Sequence, residues 1–189
     1  MHFSTIILSA VSLISLAQAT EIARPALKDS TILRSTVSCI DCPDHNCYKC
    51  TLGHNETLQA NTGGLAYIRS IVGFKLPVPA SSVTKCTVQM PAFTKLPQYP
   101  VNVTVARAKS STWNEDTIDG ENAPDAGDVF NKVQVPALSN LPAFDVTPAC
   151  KKAAKNGAFS IYLGTESGSF AIWSKDSGNP AVLHISYDE

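Results

Sequence analysis

The chain has 189 residues, with 15 Lys and Arg against 16 Asp and Glu and a formal net charge of −1. That length suits one domain with a sizeable core, and a charged fraction of 16% without basic excess excludes an electrostatic footprint for nucleic acid. Twelve prolines and ten glycines against few helix-forming runs predict many short strands joined by turns.

Met1 to Ala19 is an apolar run ending in Ala17-Gln18-Ala19, a small-residue cleavage pattern of the secretory type, although its n-region offers only His2 and the α-amino group. The apolar core, Ile6 to Leu16, is too short to span a bilayer. No second apolar run of spanning length follows, and the charged end His184-Ile185-Ser186-Tyr187-Asp188-Glu189 is not a lipid-anchor tail, so no membrane partner is expected. Thr20 to Thr36 has mixed charge and no clear period. It reads as a flexible N-terminal arm over 20–36, ahead of one domain over 37–189.

All six cysteines, at 39, 42, 47, 50, 86 and 150, lie after the leader. An even number in an exported chain argues for three disulfides, with fifteen connectivities open. Cys39, Cys42, Cys47 and Cys50 form a CxxCxxxxCxxC cluster with His45 inside it, which invites a tetrahedral zinc reading. Oxidised thiols outside the cell and the short middle spacing favour nested or overlapping disulfides instead. A redox role lacks the helix that lowers a thiol pKa. If the cluster pairs within itself, Cys86 and Cys150 pair with each other. Asn55-Glu56-Thr57 and Asn102-Val103-Thr104 are N-glycosylation acceptors consistent with the same route.

Asn61-Thr62-Gly63-Gly64 signals a turn into a long strand over 65–76, with Ser70, Val72 and Phe74 on one face and Tyr67, Arg69 and Ile71 on the other. Strands follow at 83–90 and 100–106. In the second, glycosylation requires Asn102 and Thr104 outside, so Val101, Val103 and Val105 point inward. A glycan there would obstruct the outer face. Ser110 to Asp128 is a polar loop whose one large apolar residue is Trp113. Its acids, Glu115, Asp116, Asp119, Glu121, Asp125 and Asp128, lack the alternation of the helix–loop–helix calcium site, and a solvated loop is the simpler expectation. They are weaker still as a facing carboxylate pair for glycoside hydrolysis. A strand over 129–136 comes next. Thr147 reads as N-cap of a helix through Lys155 closed by Asn156-Gly157, before strands built on Phe159, Ile161, Leu163 and on Leu183, Ile185, Tyr187.

Arg69-Ser70-Ile71-Val72-x-Phe74-x-Leu76, Ser110-Ser111-x-Trp113-x-Glu115, Asn122-x-Pro124, Asp145-Val146-Thr147, Ser174-Lys175-Asp176 and Val182-x-x-Ile185-x-Tyr187 occur in that order. Together they resemble carbohydrate-binding module family 96, the DNRLRE-type domain, in its small secreted fungal form, across about Ser38 to Tyr187. The resemblance implies an all-β, jelly-roll-like antiparallel β-sandwich, which the strand count and turn spacing also allow. The family's Arg-Glu step is Lys175-Asp176 here, and the second arginine of its long strand is Gly73. It further implies non-catalytic glycan binding, as attributed to members carried by polysaccharide lyases.

Sugar binding by a sandwich needs aromatic faces beside polar groups. The candidates are Trp173, Trp113, Tyr67 and Tyr162, with Tyr99 a further surface ring and Trp113 also suited to plugging the end of the core. A polysaccharide ligand and a monomer are expected, with no cofactor and no metal. The alternative is a secreted effector or inhibitor that binds a host or competitor protein. A hydrolase lacks any GxSxG, Cys/His or zinc signature.

Overall fold

The computed structural model describes residues 20–62 and 66–188. The leader expected over 1–19, and Gly63 and Gly64 of the expected turn, therefore lie outside the described residues. Eleven strands are present among the described residues: β1 Thr20–Pro25, β2 Lys28–Ser35, β3 Thr57–Thr62, β4 Ala66–Lys75, β5 Val83–Gln89, β6 Val101–Ala108, β7 Ala126–Val135, β8 Phe144–Asp145, β9 Ala158–Thr165, β10 Gly168–Trp173 and β11 Val182–Tyr187. One short helix, α1, spans Thr147–Cys150.

Two antiparallel sheets make a jelly-roll-like β-sandwich. The smaller has the order β1-β11-β5-β8, and the larger runs β10-β3-β4-β9-β6-β7 with β2 also paired to β4. Between them lies the main core, which joins Val88, Leu183 and Ile185 of the smaller sheet to Val72, Phe74, Val103, Val105, Ile161 and Leu163 of the larger. Alternation along each strand places these side chains inward, and burial of each aliphatic group stabilises the fold by roughly 1.5–3 kcal/mol. Val101, Val103 and Val105 face the core as the glycosylation argument requires.

The segment 20–36 is not a flexible arm. β1 pairs along its whole length with β11, and β2 pairs from Lys28↔Gly73 to Ser35↔Ala66 with β4. Its residues lack an apolar period because polar side chains take the buried positions. Asp29, Ser30, Thr31 and Ser35 are all buried, and Thr31 Oγ1 accepts the Gln59 N–H at 3.0 Å. Satisfied polar groups tolerate burial that unsatisfied ones do not.

The helix is also shorter than the pattern predicts. Thr147 lies inside it and Val146 holds the cap position, while Asp145 Oδ1 accepts the Thr147 N–H at 2.9 Å. Beyond Cys150 the bonds tighten to the three-residue kind, from Lys152 to Ala149 and from Ala153 to Cys150, and the chain turns back. Gly157 completes that turn at φ 79°, where a Cβ would stand 2.8 Å from the Leu76 carbonyl oxygen.

The cysteines pair Cys39–Cys47, Cys42–Cys50 and Cys86–Cys150. The first two bridges overlap across two 3-10 turns, Pro43–His45 and Cys47–Lys49. The third ties β5 to α1 inside the main core. No thiol is left to ligate zinc among the described residues.

Candidate functional site

The outer face of the larger sheet carries a second apolar cluster. Ile32, Ile71, Ala106, Ala108 and Tyr162 project from β2, β4, β6 and β9, and the 110–125 loop covers them with Trp113, Ile118 and Ala123. This explains why neither face of β4 reads as polar: Val72 meets one core and Ile71 the other. Trp113 is 8% exposed, its Nε1 donates to Ser160 Oγ at 3.0 Å, and the Lys28 ammonium stands 4.1 Å above its ring. Trp113 is thus a plug, but on the outer face of a sheet rather than at the end of the sandwich core. Gly73 leaves room for this arrangement, since a Cβ there would lie 2.9 Å from Lys28 Cγ and 3.3 Å from the indole. An arginine at that position would collide with the plug.

Past the covering loop the same face opens into a cleft of about 250 Å³, lined by Tyr67, Arg69, Thr104, Val129, Tyr162 and Gly164. Antiparallel register brings the residues together: Gly164 stands opposite Thr104, and Tyr67 opposite Arg34. The Arg69 guanidinium lies 4.4 Å from the Tyr162 ring centre and 4.9 Å from that of Tyr67. Two rings holding a guanidinium plane favour its flat orientation through cation–π attraction. Arg69 Nε is buried without a hydrogen-bond partner. Gly164 keeps the floor low, for a Cβ there would come within 3.1 Å of Thr104 Oγ1.

The predicted aromatics separate into distinct environments. Tyr67 is 43% exposed and offers its ring to the cleft. Tyr162 is 2% exposed, and its hydroxyl donates to the Pro124 carbonyl at 2.6 Å, so it is a support rather than a platform. Burial pushes the Tyr162 phenol up to about 12 against the opposing pull of Arg69, which keeps it a neutral donor. Trp173 is half-buried on the edge strand β10, opposite Thr57 and two strands from Tyr67. Tyr99 is exposed on the approach to β6. Arg69 was legible only as a neighbour of Tyr67 on one strand face. Its partners Thr104 and Gly164 come from strands distant in sequence, so spacing carried no signal for them.

Around the cleft the polar rim is mixed. Lys132 stands opposite Thr104 on β7 and forms an ion pair with Glu166. Asn102 shares the Thr104 face two residues along β6, about 7 Å away by the rise of a strand, and is half-exposed; Asn55 is exposed outside the cleft. This geometry can stack a flat apolar ring face on Tyr67 and offer donors from Arg69, Thr104 and Lys132 to oxygen atoms. Among the described residues around it, no nucleophile is paired with a base.

The chain is 61% identical over 194 residues to a protein of Arthroderma benhamiae described as an uncharacterized secreted protein, an alignment covering 99% of this chain and 100% of the relative. Residues 50–187 match carbohydrate-binding module family 96, a span that omits β1 and β2 but includes every residue of the cleft. The chain belongs to carbohydrate-binding module family 96.

Proposed function

We propose that the protein is a secreted, non-catalytic carbohydrate-binding protein that holds a cell-wall or extracellular polysaccharide in the cleft around Tyr67 and Arg69. The observation that carries this reading is the exposed Tyr67 ring beside the Arg69 guanidinium in one open cleft. A pyranose presents axial C–H groups to an aromatic face and hydroxyl or carboxylate oxygens at its edge, and these two side chains match both. The cleft is small beside enclosed small-molecule sites of roughly 300–1,000 Å³, as suits a surface that grips part of each sugar along a chain. The secretory leader pattern and the secreted relative both support an extracellular setting.

The test is retention of the purified mature protein on insoluble wall polysaccharides and on a glycan array. Tyr67→Ala and Arg69→Gln are each expected to weaken retention about tenfold, the scale of one lost stacking or charge-assisted contact. Trp173→Ala, two strands away, separates this cleft from the edge-strand alternative. Wild-type retention by Tyr67→Ala together with loss in Trp173→Ala would move the site to β10.

A second reading, a protein-binding effector or inhibitor, draws on the doubly bridged loop at 39–50. Ile40 there is 80% exposed and Val37 just before it 50% exposed, apolar groups held out by a rigid loop. Recovery of one stoichiometric protein from extracellular fluid, abolished by Ile40→Ser and unchanged by Tyr67→Ala, would favour this reading.

A further inference from the structure

Three carboxylates converge where β2, the covering loop and the turn after β10 meet. Asp29, Glu115 and Asp176 each place one oxygen within 4.8 Å of the others. They are remote in sequence, so the fold itself assembles the group. Asp29 is 1% exposed; its Oδ2 accepts the Lys175 N–H at 2.9 Å, but its Oδ1 is buried and has no hydrogen-bond partner. A carboxylate oxygen in that state is costly unless a cation meets it. Glu115 Oε1 accepts the Asp29 N–H at 2.6 Å, and this bond aims the Glu115 carboxylate at the same point.

One cation is already present as a side chain. Lys175 Nζ lies 3.1 Å from Glu115 Oε2 and 2.9 Å from Asp176 Oδ2. A single ammonium against three acids leaves excess negative charge. Of the other bases nearby, Lys28 donates to the backbone carbonyls of Ser111 and Trp113, and His54 is shared between Asp116 at 2.6 Å and Asp176 at 3.7 Å.

We propose that Asp29, Glu115 and Asp176 form a calcium site, with the Lys175 ammonium standing in the cation's place until calcium displaces it. An oxygen-only donor set selects calcium or magnesium over zinc or copper, and ligands from three separate segments suit the flexible coordination of calcium better than the strict octahedron of magnesium. The bound ion would join β2, the covering loop and the Lys175–Ser177 turn at one point. This site does not depend on the glycan-binding reading.

The mature protein, freed of divalent ions with a chelator, is titrated with terbium and then with calcium. Trp113, two residues from Glu115, sensitises terbium emission, and calcium is expected to quench it by displacement. The melting temperature rises by about 5–10 °C when calcium is roughly one hundred times its dissociation constant. Asp29→Asn keeps the shape of the side chain and removes its charge. It is expected to melt in chelator no lower than wild type while its calcium affinity falls about tenfold or more. Lys175→Gln removes the competing ammonium and tightens calcium about tenfold, whereas a Lys175 that only neutralises the acids would leave no calcium response to tighten. Absence of terbium emission and of any calcium-dependent melting shift at millimolar calcium overturns the assignment. So does a wild-type calcium response in Asp29→Asn, or an unchanged affinity in Lys175→Gln.

Discussion

Trp113 and Ser160 join across 47 positions of sequence through a 3.0 Å hydrogen bond from the indole Nε1 to the hydroxyl. The bond fastens the covering loop to the outer face of β9, so β9 is buried on both faces. Trp113→Ala removes the plug from the second cluster and is expected to cost about 3–5 kcal/mol, read as a lower urea midpoint. Trp113→Phe keeps most of the volume, loses the bond to Ser160 and costs about 1–2 kcal/mol. Equal losses in the two variants would argue against a packing role.

The Cys86–Cys150 bridge closes a separation of 64 residues, against 8 for each of the other two. In the chain-entropy model the long bridge stabilises by about 4 kcal/mol and a short one by about 2.5 kcal/mol. The double variant Cys86→Ala, Cys150→Ala is therefore expected to lower the denaturation midpoint more than Cys39→Ala, Cys47→Ala does. Peptide mapping under non-reducing conditions checks the connectivity directly; a peptide joining Cys86 to any cysteine of the cluster contradicts it.

Acid sensitivity should be traceable to Asp145. Hydrogen bonds from the Thr147 hydroxyl and backbone N–H hold its carboxyl below the usual value of 3.8. A carboxyl depressed in the folded state binds its proton less readily there than in the unfolded chain. The contribution to stability is thus complete above 3.8 and disappears as pH falls from there through the folded value. Asp145→Asn should flatten that limb of a plot of melting temperature against pH. A parallel curve, displaced but equally steep, would assign the acid loss to other groups.

Asn102 lies on the face of β6 that carries Thr104 into the cleft. A glycan there would stand about 7 Å from the proposed sugar contacts. Asn102→Gln, or enzymatic removal of the glycan, is expected to strengthen retention on polysaccharide without changing the melting temperature by more than about 2 °C. Weaker retention after its removal would mean that the glycan itself takes part.

The strands from β4 onward were largely legible because their inward residues are apolar at a period of two. Val101, Val103 and Val105 are the plainest case. The strands β1 and β2 escaped notice because register, not hydrophobicity, holds them: Asp29 and Thr31 occupy buried positions, where Asp29 Oδ2 accepts the Lys175 N–H and Thr31 Oγ1 the Gln59 N–H. Periodicity also failed for Tyr162. Its alternation with Ile161 and Leu163 suggested an outward ring, and the ring does point outward, but a loop 40 to 50 residues earlier in the chain lies over it. Residue patterns report which face a side chain takes and not what later covers that face. The same limit hid the meeting of Arg69, Thr104 and Gly164 in one cleft, which the strand order β4-β9-β6 produces.

β1 is hydrogen-bonded to β11 from Thr20↔Tyr187 to Pro25↔Val182. The first described strand therefore waits for the last before it has a neighbour in its sheet. During synthesis from the N-terminus, neither β1 nor the smaller sheet can close until β11 has emerged, whereas Cys86 and Cys150 both emerge before it. Until then β1 offers an open edge to any other nascent strand, and oxidation of the long bridge would shorten the time it spends exposed.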